Sequence, residues 1–336
     1  MGSIPKSIGV LSSGGDAPGM NAAIRAVVRT AISAGCKVYG VQKGYHGLIN
    51  DLVYEMDSHS VVDIIHRGGT ILKTARSEEF QTESGFKQAL STIEKHKING
   101  LVVIGGDGSF RGAARLAEAG VPTIGVPATI DNDVNSTERA IGFDTAVNTV
   151  IDAINKIRDT ATSHERTYVV EVMGRNSGFI ALYAGVAGGA DQILIPERPI
   201  ELETVCEKVV LGQQRGRSRS IIVVAEGFHP AKLNSAWVPG NAGLSIGNYI
   251  GYKTGLDTRV TTLGHLQRGG NPTALDRILA SRFGYRAAQL LISGVSGKVV
   301  GLKQNQIAVI DIKKALTCKK SIDDELYQMA DVIAAI

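Results

Sequence analysis

Short, unbroken apolar runs, each closed by a polar or glycine turn and followed by a helix-periodic stretch, restrict the possible folds of this chain most. Ile8 to Leu11 is such a run. It ends in Ser12-Ser13-Gly14-Gly15-Asp16-Ala17-Pro18-Gly19, after which Met20 to Ala34 carries helical periodicity. The order returns at Leu101-Val102-Val103-Ile104, followed by Gly105-Gly106-Asp107-Gly108-Ser109 and a helical stretch from Phe110 to Ala119. Val121 to Val126, Thr167 to Val172 and Ser220 to Ala225 are further runs rich in β-branched residues. Strands apolar on both faces that alternate with helices predict parallel sheets covered on each side. With 336 residues the chain exceeds one compact core, and no repeat of solenoid length recurs. The expected architecture is therefore α/β: two stacked three-layer domains with mainly parallel sheets. Phe228 to Thr258, rich in Gly, Asn and Pro, reads as an irregular connection.

Composition excludes several functional classes. Aromatic residues make up 5% of the chain, too few for the stacking platforms of single-strand nucleic-acid binders. A net charge of +4 without a long basic run requires no polyanionic partner. Cys36, Cys206 and Cys318 are far apart with no CxxC pair, which fits neither a disulfide framework nor a zinc cluster. They read as reduced core or surface thiols. No apolar run reaches the length of a membrane helix and the N-terminal order is not that of a signal peptide, so neither nucleic acid nor membrane is an expected partner and the cytoplasm is the expected location.

Three motifs carry chemistry. A glycine turn between strand and helix aims backbone N–H groups and the positive end of the helix dipole at one point, which suits phosphate. Ser13-Gly14-Gly15-Asp16 and Gly105-Gly106-Asp107-Gly108-Ser109 are such turns. An acidic residue inside a phosphate cradle calls for a divalent cation, making Asp107 a candidate magnesium ligand; a helix-capping aspartate is the alternative. Next, Thr129-Ile130-Asp131-Asn132-Asp133 follows an apolar strand, where carboxylates meet ligands in open α/β sheets. One could accept a substrate proton while the other supports a metal, or both could belong to an Asx turn. Third, Arg259 and Gly264-His265-Leu266-Gln267-Arg268-Gly269-Gly270 bring two guanidiniums and an imidazole beside glycines, a set suited to a phosphorylated sugar.

Taken together and in order, Ser12 to Asn21, Gly105 to Ser109, Thr129 to Asp133, Glu171-Val172-Met173-Gly174-Arg175 and Gly264 to Gly270 resemble the bacterial-type, ATP-dependent 6-phosphofructokinase family, over about Ile8 to Gly301. The resemblance implies phosphoryl transfer from ATP to the 1-hydroxyl of fructose 6-phosphate, yielding fructose 1,6-bisphosphate and ADP. It also implies Mg²⁺ as cofactor, a homotetramer with active sites in the interdomain cleft, and a phosphorylated allosteric effector bound at a subunit interface. Residues 1–142 plus about 255–303 would form the nucleotide-binding domain, and 143–254 plus about 304–336 the sugar-phosphate domain.

The resemblance also assigns residues. Asp131 would be the base and Asp107 the magnesium ligand, with Thr129, Asp133 and Arg175 supporting the transferring phosphoryl group. Met173, Gly174, Glu226, His265 and Arg268 would hold the sugar along with Thr129, Asp131 and Arg175, and Arg166 and Arg259 would reach in from a neighbouring subunit. The nucleotide would meet Gly15, Tyr45, Arg76, Gly106, Asp107, Gly108 and Ser109. Ser77 belongs to the same set, although it and Gln81 stand where relatives often carry an aromatic or aliphatic residue and a basic one. Ala128 replaces a usual glycine. Effector positions match at Arg25, Arg29, Asp63 and Arg158, and again at Asp191, Arg215 and Arg217, while Ser58 stands in place of a common arginine. For the Arg215 to Arg219 turn, a solvated basic loop is the reading without the resemblance. Small neutral residues at 108 and 128 favour ATP over pyrophosphate. ADP as donor, and a silent effector-binding subunit of a hetero-oligomer, are the alternatives.

Overall fold

The computed structural model describes residues 6–232 and 240–334. Five strands come first: β1 (Ser7–Ser12), β2 (Lys37–Val41), β3 (Val53–Met56), β4 (Leu101–Gly105) and β5 (Thr123–Pro127). They are followed by β6 (Thr167–Val172), β7 (Gln192–Leu194), β8 (Ser220–Ala225), β9 (Thr258–Thr262), β10 (Lys298–Lys303) and β11 (Gln306–Asp311). Each apolar run of the sequence is a strand, and β1, β4, β5, β6 and β8 are buried along their whole length.

Two compact units divide the chain: 1–130, 134–145 and 268–320 in one, 131–133, 146–267 and 321–336 in the other. The first holds a seven-stranded sheet in the order β11-β10-β5-β4-β1-β2-β3. Pairing is parallel from β10 through β2, and β11 and β3 close the edges antiparallel. Leu11, Leu101 and Val103 join Phe110, Ala113 and Leu116 of the helix Asp107–Glu118 in one apolar cluster. Val10, Val102 and Ile104 alternate to the opposite face, where they are equally buried. Beyond the sheet, the helix Ala274–Ile292 packs on Met20–Ser33. Its Asp276 accepts from Gly142 N and Thr145 N at 2.9 Å and from Thr145 Oγ1 at 2.6 Å, tying helix to loop. Burial pushes that carboxyl up to about 6, against the pull of those three donors.

The second unit holds a four-stranded, all-parallel sheet, β7-β8-β6-β9. Val169, Ile222 and Val224 pack with Val205 and Val209 of the helix Leu202–Gln214 and with Ile246 and Ile250 of the helix Ala242–Thr254. The latter helix replaces much of the irregular connection expected over Phe228 to Thr258; residues 233–239 of that stretch lie outside the described set. Unit boundaries also differ from the expected ones. Pairing of β9 with β6 keeps the chain through Gln267 in the second unit, where a return near 255 was expected, and the β10–β11 hairpin keeps 304–320 in the first.

Candidate active site

In the first unit the two glycine turns differ in build. Gly106 directly precedes the helix Asp107–Glu118 and offers no side-chain cap, so the first-turn N–H groups of Asp107, Gly108 and Ser109 point outward as donors. Gly14 and Gly15, by contrast, are separated from the helix Met20–Ser33 by a turn ending in Gly19. The turns are locked to each other: Ser109 Oγ donates to Ser13 O at 3.0 Å, and a Cβ at Gly105 would lie 2.4 Å from Ser109 Oγ and 2.5 Å from Ser13 O. Thr74 Oγ1 donates to Gly14 O at 2.7 Å and Ser12 Oγ meets Thr70 Oγ1 at 2.8 Å, bringing the segment that carries Arg76 and Ser77 against the first turn. Arg76 is exposed, whereas Ser77 Oγ accepts from Phe80 N at 3.3 Å.

Tyr45 packs against the start of the helix Asp107–Glu118. It is buried, stacks on Phe80 with ring centroids 4.2 Å apart, and donates its hydroxyl to Ser109 O at 2.5 Å. Burial raises its pKa. The phenol therefore braces the first turn of the helix, acting on a ligand through Ser109. Arg268 likewise sits on the first turn: Nη1 donates to Asp16 O at 3.1 Å, and a Cβ at Gly15 would come within 2.6 Å of that nitrogen. A Cβ at Gly108 would meet nothing within 4 Å.

In the second unit Asp131 is 4% exposed, with Oδ2 at 3.8 Å from Arg175 Nε. Ser177 Oγ donates to Asp131 O at 2.9 Å, fixing the turn that carries Asp131. Asp133 is exposed. Arg175 occupies left-handed backbone at φ 53°. Glu226 Oε1 holds it there, accepting from Arg175 N at 2.7 Å and Gly174 N at 3.2 Å. Gly227 lets the chain pass, since a Cβ there would lie 1.8 Å from Arg175 O. Fully buried Gln267 accepts from Met173 N at 3.3 Å and donates to Gly264 O at 3.0 Å, linking the Met173 loop to the one that exposes His265. Arg166 and Arg259 both lie on Asp257, at 2.6 Å from Nε of the first and 2.8 Å from Nη1 of the second. The bonds of Ser177 to Asp131, Asp257 to Arg166 and Gln267 to Met173 span 46, 91 and 94 positions, so no local spacing signals them.

A family model described as Phosphofructokinase matches residues 7–291. An ATP-dependent 6-phosphofructokinase of Clostridium botulinum is 54% identical over 98% of this chain and 99% of its own length, and one of Alkaliphilus metalliredigens matches to the same extent. Among solved structures, Pichia pastoris phosphofructokinase in the T-state superposes with TM-score 0.86 at 35% identity over 99% of this chain. The present chain spans 39% of that yeast chain's length. A pyrophosphate-dependent phosphofructokinase from Marinobacter aquaeolei shares the fold, with TM-score 0.83 at 22% identity over 95% of this chain and 86% of its own. The chain belongs to the phosphofructokinase family.

For a phosphofructokinase, the remaining positions divide between the units. Arg25 and Arg29 stand one turn apart on the helix Met20–Ser33, which packs on the short helix His59–Val61 between Ser58 and Asp63. In the second unit Arg217 pairs with Asp191 at 2.7 Å and donates to Ala334 O at 2.8 Å. Arg158 donates to the carbonyls of Gly188 and Gly189, and its pKa is lowered by burial and by nearby Arg219, against Asp191. Arg215 caps the helix Leu202–Gln214 and is exposed. Of the thiols, Cys36 and Cys206 are buried and Cys318 is exposed. Among the described residues no helix is long and apolar enough to cross a membrane.

Proposed function

We propose that this phosphofructokinase transfers the γ-phosphoryl group of ATP to the 1-hydroxyl of fructose 6-phosphate, releasing fructose 1,6-bisphosphate and ADP, the glycolytic reaction. The observation that carries the reading is buried Asp131 beside the Arg175 guanidinium, in a chain 54% identical over almost its entire length to proteins named ATP-dependent 6-phosphofructokinase.

The roles follow from the chemistry of each group. The Asp131 carboxylate takes the proton from the attacking hydroxyl as the new P–O bond forms. Arg175 spreads its guanidinium toward the charge of the transferring phosphoryl group, supported by Thr129 and Asp133. First-turn N–H groups at Asp107 to Ser109, together with Gly15, Gly106, Arg76 and Ser77, hold the nucleotide. Met173, Gly174, Glu226, His265 and Arg268 hold the sugar, and Arg166 and Arg259 its phosphate. Among the described residues no group of three or more His, Cys, Asp or Glu could hold a metal. A lone carboxylate at Asp107, on the first turn of its helix, fits Mg²⁺, which phosphoryl-transfer sites commonly bind through one or two carboxylates plus substrate phosphates. Asp107 would be its protein ligand, and the ion would neutralise phosphate charge.

Open space at Gly108 and small, buried Ala128 favour a donor with an α-phosphate, hence ATP over pyrophosphate. The functional unit is a cytoplasmic homotetramer, regulated by a phosphorylated effector through Arg25, Arg29, Asp63, Arg158, Asp191, Arg215 and Arg217. A coupled assay with ATP, ADP and pyrophosphate tests the donor. Turnover is expected with ATP and Mg²⁺, and equal activity with pyrophosphate would overturn the choice. In the same assay Asp131→Asn is expected to lower kcat by roughly 10² to 10⁴ fold with a much smaller change in the sugar KM. If Asp133→Asn were inactive and Asp131→Asn active, the two carboxylates would exchange roles.

A further inference from the structure

Asp257 lies two residues before Arg259, so both side chains leave the strand on one face. The register Thr167↔Thr258 puts Arg166, which precedes β6, beside it, and Thr167 N donates to Asp257 O at 3.1 Å. One carboxylate thereby meets two guanidiniums. Oδ2 accepts from Arg166 Nε at 2.6 Å and from Arg259 Nη2 at 3.3 Å, while Oδ1 lies 2.8 Å from Arg259 Nη1. The side chains of Arg166, Asp257 and Arg259 are 28%, 45% and 52% exposed, and ion pairs that wet contribute little to stability.

What the arrangement supplies is direction. Arg166 is gripped through Nε by Asp257 and also meets the Tyr168 side chain, and the two contacts fix the plane in which its guanidinium can meet a phosphate. Arg259 donates from Nη2 to Oδ2 and lies in ion-pair contact with Oδ1 through Nη1, which leaves its Nε–H for another acceptor. A carboxylate between two cations also offsets their repulsion, which would otherwise drive the side chains apart.

We propose that Asp257 is a positioning residue for the reaction: its carboxylate holds Arg166 and Arg259 side by side in the orientation that receives the phosphate of the sugar substrate. The proposal rests on the reading of those two arginines as sugar-phosphate ligands. Asp257 touches neither substrate, so its effect on binding passes through the guanidiniums.

Steady-state kinetics on the full chain test it. Asp257→Ala is expected to raise the KM for fructose 6-phosphate about tenfold, the worth of about one charge-assisted hydrogen bond, while kcat falls less than about threefold. Asp257→Glu, which can still bridge two guanidiniums, should recover most of the affinity, and Asp257→Asn, close in shape, should recover less. Added to Arg259→Ala, Asp257→Ala should raise KM much less than it does alone, because the residues act as one unit. Arg166→Ala and Arg259→Ala separate the two levels of the reading. If they raise KM while Asp257→Ala leaves it unchanged or lowers it, the carboxylate is a bystander or a competitor and the positioning role is overturned. If the arginine variants leave KM unchanged, their assignment fails and the role of Asp257 fails with it.

Discussion

Replacing Glu226 with Ala removes the acceptor of two backbone donors, Arg175 N at 2.7 Å and Gly174 N at 3.2 Å. Hydrogen bonds to a charged group contribute about 1.5 to 3 kcal/mol each, and the longer of these belongs at the lower end, so the loop is held by about 3 to 4 kcal/mol. Arg175 sits at φ 53°, a conformation that costs a non-glycine residue about 1 to 2 kcal/mol. Once released, the residue relaxes out of it and carries its guanidinium away from Asp131. A loss of about 1.4 to 2.8 kcal/mol in the transition state corresponds to a 10- to 100-fold fall in kcat. Glu226→Gln keeps an acceptor without the charge and should lie between Ala and wild type. The assay is the coupled reaction at saturating ATP and sugar, with each Glu226 variant repeated in an Arg175→Ala background. There the kcat effect of Glu226→Ala should largely vanish. Because Glu226 is also placed among the sugar ligands, a raised sugar KM is expected beside the kcat loss; intact kcat, or full additivity with Arg175→Ala, would refute the idea that Glu226 works through the Arg175 backbone.

Gly108→Asp should lower kcat/KM for ATP by roughly 10² fold through charge conflict with the phosphates, while the melting temperature stays near wild type because a Cβ there meets nothing within 4 Å; unchanged ATP kinetics would count against the placement. Asp276 gives a pH signature. Its folded pKa of about 6 lies above the ordinary 3.8, so it contributes about 3 kcal/mol of stability that is fully present below pH 4 and lost as pH rises through 6. Melting curves from pH 4 to 7 should show wild type falling relative to Asp276→Asn, and a constant difference would rule this out. Mixing Arg259→Ala chains, weakened in sugar binding, with Asp131→Ala chains that lack the base should restore some activity at low sugar concentration if sugar sites are shared between subunits, and a strictly monomeric active protein in light scattering would defeat that expectation.

Strands β1, β4, β5, β6 and β8 were legible because each is buried on both faces and announces itself as a continuous apolar run; Leu101 to Ile104 and Ser220 to Ala225 are plain examples, whereas the order of the strands in each sheet was not. The helix Ala242–Thr254 was not, since Gly243, Gly247 and Gly251 lower helix propensity. Tertiary packing explains two of these. A Cβ at Gly243 would lie 2.9 Å from Glu171 Cβ, and one at Gly247 would lie 2.3 Å from Val260 Cγ2, so small residues let the helix lie close on β6 and β9. In the site, residues inside glycine-punctuated motifs were recognisable. Supporting contacts such as Asp257 to Arg166, Ser177 to the Asp131 turn and Gln267 to Met173 were not, because hydrogen bonds spanning 91, 46 and 94 positions leave no local pattern. Tyr45 entered only through the family resemblance, and its packing on Phe80 and bond to Ser109 O, a brace across 64 positions, leave no local pattern.

Gly105 and Gly108, three positions apart, face opposite constraints. Any side chain at the first would strike Ser109 and Ser13, while the second borders open space. Natural variation can therefore explore position 108 with little penalty in foldability and is barred from 105. Under the proposed donor reading, position 108, acting with Ala128, is an evolvable element housed in a frozen frame: a lineage could vary it without first acquiring extra stability to survive the change.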